Sequence, residues 1–211
     1  FKNPVTDYRN YGNFASNNSK KLAYQSVCES ITLLKNNNSI LPIKKGAKIL
    51  VAGPNGNSMR TLNGAWTYNW QGKFTDKFAE IHNTLFESFS NVYGEDNVTF
   101  ISGVSYKENA SFYDMIEDNI GEVVKAAKDH DYILLCLGEN SYTEKPGDLN
   151  DLNLHKLQLK LANELSKTGK PIILVLNIGR PRLISEIEPF MSAILNIYLP
   201  GNFGGDALAD I

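Results

Sequence analysis

Five short apolar runs, separated by stretches of helical periodicity, constrain the fold of this chain more than any other feature. The runs occupy residues 48–52, 98–101, 132–137, 172–176 and 193–199. Each is almost continuously apolar, as strands are when both faces of their sheet are buried. Strands of this kind that alternate with helices are typical of a parallel sheet. We therefore predict an α/β fold, a mostly parallel sheet of about five to six strands with helices on both faces (an α/β/α sandwich).

The intervening segments carry apolar residues at helical spacing. They cover residues 19–35, 77–89, 115–128, 154–166 and 182–188, with Ser19 as the predicted N-cap of the first. Residues 1–18 are polar and aperiodic, so we interpret them as a linker and residues 19–211 as one domain. Because the chain begins at Phe1 and stops within a helical pattern, we expect it to be a piece of a longer protein, truncated at its C-terminus.

Composition excludes several classes of function. The 211 residues carry a net charge of −2, which does not favour binding to nucleic acid or to a membrane surface. No apolar run approaches the length of about 20 residues that a membrane-spanning helix needs. The two cysteines, Cys28 and Cys136, lie in apolar periodic segments and are predicted to be buried free thiols. The histidines are scattered and no metal-binding motif is present, so we expect no metal and no cofactor.

Three loops are predicted to share the carboxyl edge of the sheet, where open α/β sheets bind ligands. They are residues 53–72, residues 138–151 and residues 177–181. A nucleotide-binding interpretation of the first loop is weak, because its glycines match neither GxGxxG nor GxxxxGK[ST]. This first loop carries both tryptophans of the chain, Trp66 and Trp70. They are either loop anchors packed on their own domain or a flat aromatic wall for a ligand such as a sugar ring.

The second loop, which we call the acidic loop (residues 138–151), contains four carboxylates. We expect Asp148 or Asp151 to cap a helix that begins near Leu152, and Glu139, directly after the strand, to hold loop backbone. Neither capping nor packing explains Glu144, which lies in the middle of the loop. It is either a solvated surface residue or a group with a chemical role.

Several segments together resemble one known family. They are residues 30–36 with 41–43, residues 51–54, residues 66–72, residues 138–148, residues 168–171, residues 179–181, and residues 200–201 with 204–205. In order and spacing they are similar to the second, α/β-sandwich domain of glycoside hydrolase family 3. Residues 1–18 resemble the linker from that family's N-terminal (β/α)8 barrel, a partner domain absent from this chain. Ala65 and Phe203 depart from the family pattern.

This resemblance implies a β-glucosidase or exo-β-glucan hydrolase that retains anomeric configuration by means of two carboxylates about 5–5.5 Å apart. The nucleophile of the family is an aspartate of the barrel. Glu144 matches the general acid/base, Trp70 the sugar-stacking tryptophan, and Trp66 a second wall. The resemblance also implies that the substrate is an oligo- or polysaccharide or another β-glucoside. It implies further that the whole protein is secreted or periplasmic.

The resemblance favours a structural role for Arg180, with Pro181 at a first helical position. A carbohydrate-binding or docking module without catalytic activity remains the alternative.

Overall fold

The structure is a computed structural model that describes residue 2 and residues 5–211. Residues 1, 3 and 4 of the predicted linker lie outside the described residues. The strands are β1 (Thr32–Asn36), β2 (Ile49–Ala52), β3 (Val98–Ile101), β4 (Val104–Tyr106), β5 (Met115–Glu117), β6 (Tyr132–Gly138), β7 (Ile172–Asn177) and β8 (Ala193–Asn196). The helices are α1 (Asn17–Ser30), α2 (Met59–Asn63), α3 (Thr75–Phe78), α4 (Leu85–Tyr93), α5 (Ile120–Ala127), α6 (Lys156–Ser166) and α7 (Gly204–Asp210).

Six strands form the main sheet, in the order β1-β8-β7-β6-β2-β3. The five predicted strands, β2, β3, β6, β7 and β8, are all parallel to one another. In the described part of the chain, β1 is the one antiparallel strand of this sheet and pairs with β8 at its edge. The predicted α/β fold with a mostly parallel sheet is therefore confirmed.

Side chains of successive strand residues enter two separate apolar layers. Leu50, Ile133 and Leu135 face α5 and α6 in one layer. Ile49, Val51 and Leu134 face α2, α4 and α7 in the other. Both layers exclude water, which explains why each central strand is apolar at every position rather than at alternate ones. The buried thiol of Cys136 belongs to the second layer, whereas Cys28 is only partly buried; both are free thiols.

The predicted first helix, residues 19–35, is wrong at both ends. It begins at Asn17, with Ser16 rather than Ser19 as N-cap, since the N–H of Ser19 donates to Ser16 Oγ at 3.2 Å. It ends at Ser30, and the chain continues as β1. Pairing with β8 provides hydrogen-bond partners for the backbone N–H and C=O groups of this segment. This long-range interaction overrides the helical spacing of its apolar residues.

Three other predicted helices also need correction. Residues 115–117 form β5, which pairs with β4 in a two-stranded sheet, and α5 starts only at Ile120. Residues 77–89 are divided between α3 and α4, because Thr84 and Glu87 form a capping box that starts a new helix. Residues 182–187 contain turns and an isolated bridge instead of a helix, so Pro181 does not open one.

Candidate active site

Buried polar side chains tie together the carboxyl ends of the central strands. Asn55, fully buried, donates from Nδ2 to the carbonyl of Glu139 at 3.2 Å and to Asn177 Oδ1 at 2.9 Å. The Tyr106 hydroxyl lies 2.9 Å from Asn55 Oδ1, and burial raises the pKa of Tyr106. Asn177 in turn donates to the carbonyl of Tyr198 at 2.6 Å. These hydrogen bonds form one buried network, which holds the first residues of the loops that leave this edge in fixed positions.

Glu139 is a buried carboxylate held between two arginines. It is 4% exposed, and its Oε1 accepts from Arg180 Nε at 2.9 Å and from Arg182 Nη1 at 2.8 Å. Arg182 also donates to the carbonyls of Leu152 and Asn153. Glu139 thus has the structural role expected of it, and it holds the loop backbone through the arginine side chains. A buried carboxylate of this kind is destabilising unless it is paired, which both arginines achieve.

Glu144 lies exposed at the tip of the acidic loop. Its backbone has φ 51° and ψ −150°, and its carbonyl accepts the N–H of Gly147 at 2.8 Å. A residue with a side chain held in this region costs on the order of 1–3 kcal/mol, and such strain occurs preferentially at functional sites. Among the described residues, no hydrogen bond or ion pair engages its carboxylate. The side chain is accordingly free to act on a group brought to this edge.

The expectation that Asp148 or Asp151 caps the next helix is wrong. That helix, α6, begins at Lys156, and its N-cap is His155, whose Nδ1 accepts the N–H of Leu157 at 3.2 Å. Asp151 instead accepts from the N–H and the side chain of Asn153, which closes a local turn. The acidic loop continues past Leu152, where we predicted the start of the helix. Backbone pairing between Asn153 and Leu183 holds this part of the chain extended.

The tryptophan loop (residues 64–72) presents two aromatic rings to solvent. Trp66 is 67% exposed and Trp70 is 49% exposed, and their ring centroids lie 6.4 Å apart with planes tilted by 54°. Trp66 has φ 60°, and its N–H points to the carbonyls of Asn69 and Trp70, both at 3.2 Å. The rings are therefore not buried anchors of this domain, and the loop backbone is folded so as to hold them outward.

A short chain of hydrogen bonds fixes the tryptophan loop to the acidic loop. Ser141 Oγ donates to the carbonyl of Gln71 at 2.7 Å and accepts from Arg60 Nε at 2.6 Å. Burial lowers the pKa of Arg60, although the carboxylate of Asp76 opposes that effect. Since Ser141 is three residues before Glu144 and Gln71 directly follows Trp70, the carboxylate and the aromatic rings belong to one assembled edge.

Unsatisfied buried polar atoms concentrate at this same edge. Within residue 2 and residues 5–211, six buried side-chain N or O atoms lack a hydrogen-bond partner. Four belong to the three loops of the site: Asn69 Nδ2, Glu139 Oε2, Thr143 Oγ1 and Arg180 Nη2. A fifth, Asn202 Oδ1, is on a side chain that donates to the Tyr68 hydroxyl of the tryptophan loop at 2.7 Å. Buried polar groups are nearly always hydrogen-bonded in folded proteins, so these atoms have donor or acceptor capacity that the side chains of this domain do not use.

Sequence reasoning missed several members of this edge. Asn55, Arg60, Tyr106 and Arg182 all contribute contacts there. Asn55 and Arg60 lie in the loop of residues 53–72 that was predicted at this edge, and Arg182 lies two residues after Arg180 in the loop that follows β7. Tyr106 had no signal of this kind. Across the part of the chain that the structure describes, no group of His, Cys, Asp and Glu side chains is arranged to hold a metal ion. In the same residues, no helix has the length and apolar character needed to cross a membrane.

Solved structures with a similar fold show which class of protein contains this architecture. The β-glucosidase of Listeria innocua matches with a TM-score of 0.79 and 25% sequence identity, over 98% of this chain and 26% of that one. The Q683A mutant of the exo-1,3/1,4-β-glucanase ExoP from a Pseudoalteromonas species matches with a TM-score of 0.74 and 26% identity, over 92% and 29% of the two chains. The fold is therefore that of a domain found within larger glycoside-cleaving enzymes.

The family follows from sequence comparison. Residues 31–211 match the model of the glycosyl hydrolase family 3 C-terminal domain, and the chain belongs to that family. A lysosomal β-glucosidase of Dictyostelium discoideum is 33% identical over 91% of this chain and 24% of its own length. A periplasmic β-glucosidase of Salmonella typhimurium and a β-xylosidase of Formosa agariphila are each 29% identical over 91% of this chain. The chain spans about a quarter of the length of these relatives.

Proposed function

We propose that this chain is the second domain of a retaining β-glucosidase, in which Glu144 is the general acid/base. The observation that carries the proposal is the exposed, conformationally strained Glu144 on the same edge as two exposed tryptophans. Family membership supports the reaction class, since the relatives include β-glucosidases and a β-xylosidase. The substrate is a terminal β-D-glucosyl residue of an oligo- or polysaccharide or of another β-glucoside.

In a retaining mechanism Glu144 acts twice. It first donates its proton to the departing glycosidic oxygen, while a carboxylate nucleophile outside this chain attacks the anomeric carbon. It then accepts a proton from the water that hydrolyses the glycosyl-enzyme intermediate. The nucleophile belongs to the N-terminal barrel domain that we propose faces this edge.

Trp66 and Trp70 form the wall for the sugar on the leaving-group side. Their tilted rings offer rigid apolar faces together with indole N–H donors. The bonds of Ser141 with Gln71 and Arg60 fix this wall relative to the loop that carries Glu144. A wall and an acid held in one frame suit a reaction in which the departing sugar must be bound and protonated together.

The names of two relatives, one periplasmic and one lysosomal, support a compartment outside the cytosol. We propose that the whole protein is secreted or periplasmic. A non-catalytic carbohydrate-binding module is the alternative, and it predicts that Glu144→Ala leaves the rates on all substrates unchanged.

The test is Glu144→Ala in the full-length enzyme. Hydrolysis of an alkyl or disaccharide substrate, whose leaving group needs protonation, should fall by about 10²–10⁴-fold. Formation of the intermediate from a dinitrophenyl glucoside should be largely spared, because that leaving group departs unprotonated. Azide, a nucleophile that needs no general base, should partly restore turnover of the dinitrophenyl glucoside by this variant. The measurement is kcat/KM on the two substrates, which reports formation of the intermediate, together with detection of the glycosyl azide product.

Asp148→Asn is the matched control, because Asp148 is an exposed carboxylate of the same loop. Its rates on both substrates should stay at wild-type level. Equal loss of kcat/KM on both substrates in Glu144→Ala, without azide rescue, would refute the acid/base role of Glu144.

A further inference from the structure

Tyr142 lies under the turn that carries Glu144. Its ring fits against the backbone of Gly147 so closely that a Cβ at that glycine would lie 2.6 Å from Tyr142 Cδ2. Gly147 closes the turn by donating its N–H to the carbonyl of Glu144. The ring of Phe112 packs against Tyr142 with centroids 5.0 Å apart. The position of this aromatic ring therefore determines where the turn, and with it Glu144, is located.

Arg180 holds the Tyr142 ring. Its guanidinium carbon lies 4.0 Å from the ring centroid, within the range of a cation–π contact. Burial and the nearby carboxylate of Glu139 raise the pKa of Tyr142, so the ring remains neutral beneath the guanidinium. This contact connects the loop after β7 to the turn that contains Glu144.

Glu139 fixes Arg180 to the sheet. Its carboxylate accepts from Arg180 Nε at 2.9 Å, and its own backbone N–H donates to the carbonyl of Asn177 at 3.1 Å. Contacts therefore run without a break from the strand ends through Glu139, Arg180 and Tyr142 to the turn. The side chain of Glu139 is almost wholly buried, so solvent competes little with this ion pair.

We propose that Arg180 is a positioning residue for Glu144, acting through Tyr142. The proposal rests on the proposed function of Glu144 as general acid. A general acid has to be within hydrogen-bond reach of the leaving oxygen, and a displacement of about 1 Å can lower the rate by about 10²-fold. The tryptophan loop is held by the bonds of Ser141 with Gln71 and Arg60, in which Arg180 takes no part, so disturbing Arg180 should change proton donation more than sugar binding.

Arg182 provides a matched control within the same cluster. It donates to the same oxygen of Glu139, at 2.8 Å, and is more buried than Arg180. Its other bonds go to the carbonyls of Leu152 and Asn153, whereas the cation–π contact with Tyr142 belongs to Arg180. Altering either arginine disturbs the buried ion pair, but only altering Arg180 disturbs the support of the turn.

The experiment compares Arg180→Lys and Arg182→Lys in the full-length enzyme. Lysine keeps the charge but loses the planar fork that pairs with a carboxylate and stacks on a ring. Arg180→Lys should lower kcat/KM on the alkyl glucoside at least tenfold, with the KM for that substrate changed about twofold or less. The kcat/KM on the dinitrophenyl glucoside, which reports formation of the intermediate without proton donation, should change about twofold or less. Arg182→Lys should change the rates on both substrates by the same factor. Thermal unfolding of both variants reports the cost to stability.

Two Tyr142 variants test the same chain of contacts without touching the ion pair. Tyr142→Phe keeps the ring and should preserve the wild-type ratio of the two rates. Tyr142→Leu removes the ring and should reproduce the selective loss of Arg180→Lys. These variants decide the question even if Arg180→Lys does not fold.

An equal loss on both substrates in Arg180→Lys, or an unchanged ratio in Tyr142→Leu, would overturn the positioning role. The result for Glu144→Ala separates the two proposals. If that variant shows no dependence on the leaving group, the acid/base assignment itself has failed. If it shows the dependence and the Arg180 and Tyr142 variants do not, only the positioning role is rejected.

Discussion

At the scale of single residues, close approach of the backbone of β6 to that of β7 determines which side chain fits at the start of the acidic loop. A Cβ on Gly138 would lie 2.0 Å from the carbonyl oxygen of Asn177. The Gln158 amide accepts the N–H of Gly138 and donates to its carbonyl, both at 2.9 Å. Glycine is required here for lack of space, and the backbone that leads to Glu139 is thereby fixed.

Gly138→Ala should therefore lower the free energy of unfolding by about 3 kcal/mol or more, since backbone atoms of a central strand would have to move. Urea unfolding of the chain, followed by circular dichroism, measures the loss. Gly169→Ala is the control: Gly169 has φ +71° and open space around it. That variant should lose only about 1 kcal/mol, from backbone strain. Equal losses in the two variants would contradict the steric explanation.

At the scale of elements, α6 depends on a histidine at its N-terminus. His155 Nδ1 accepts the N–H of Leu157, which requires that nitrogen to be unprotonated. Burial lowers the pKa of His155, the charge of Lys156 lowers it further, and Asp114 opposes both. The position of α6 also matters to the site, because its Gln158 holds Gly138. The N-cap of α6 is thus connected, through Gln158, to the backbone at which the acidic loop begins.

Because the pKa of His155 is lower in the folded chain than its value of about 6.5 in the unfolded chain, protons bind preferentially to the unfolded chain. The stabilisation is present above about pH 6.5 and is lost as the pH falls towards the folded-state pKa. His155→Asn keeps a capping acceptor without the titration, so its unfolding free energy should decline less below pH 6.5.

Urea unfolding at a series of pH values checks this expectation. His82, whose pKa burial also lowers, should account for part of the remaining slope. Adding a substitution of His82 to His155→Asn should flatten the curve further. An unchanged slope in His155→Asn would exclude the capping histidine as a source of the pH dependence.

Elements that are buried on both faces were the ones predicted well. The run that forms β3 was predicted at its observed bounds, and that of β6 to within one residue. Strand β1 was missed, because Leu33 and Leu34 are more than half exposed and their spacing also suits a helix. The capping roles of Asp148 and Asp151 failed for a related reason: long-range pairing of Asn153 with Leu183 determines how far the loop extends.

At the scale of the whole molecule, the candidate site lies on an open edge. Glu144, Trp66 and Trp70 are all exposed there, and the chain spans about a quarter of the length of its relatives. A retaining glycosidase needs a second carboxylate within about 5–5.5 Å of the acid. Under the proposed function, that carboxylate and most of the sugar pocket come from the barrel domain.

The 211-residue chain alone should consequently not hydrolyse an aryl β-glucoside. The measurement is release of nitrophenol by the purified chain, with an equimolar amount of the full-length enzyme as the positive control. Measurable turnover by the isolated chain would contradict this expectation and would show that the chain holds a complete site.

The sequence by itself determined the parallel sheet, the order of its central strands along the chain and the loop on which Glu144 lies. Those features depend on local composition, since a strand buried on both faces must be apolar throughout. Only the tertiary structure decided that Glu139 pairs with Arg180 and Arg182, and that Ser141 joins the acidic loop to the tryptophan loop. These contacts join residues 41, 43 and 70 positions apart. No local pattern records them, because they arise only when the strands pair and bring their carboxyl ends to one edge.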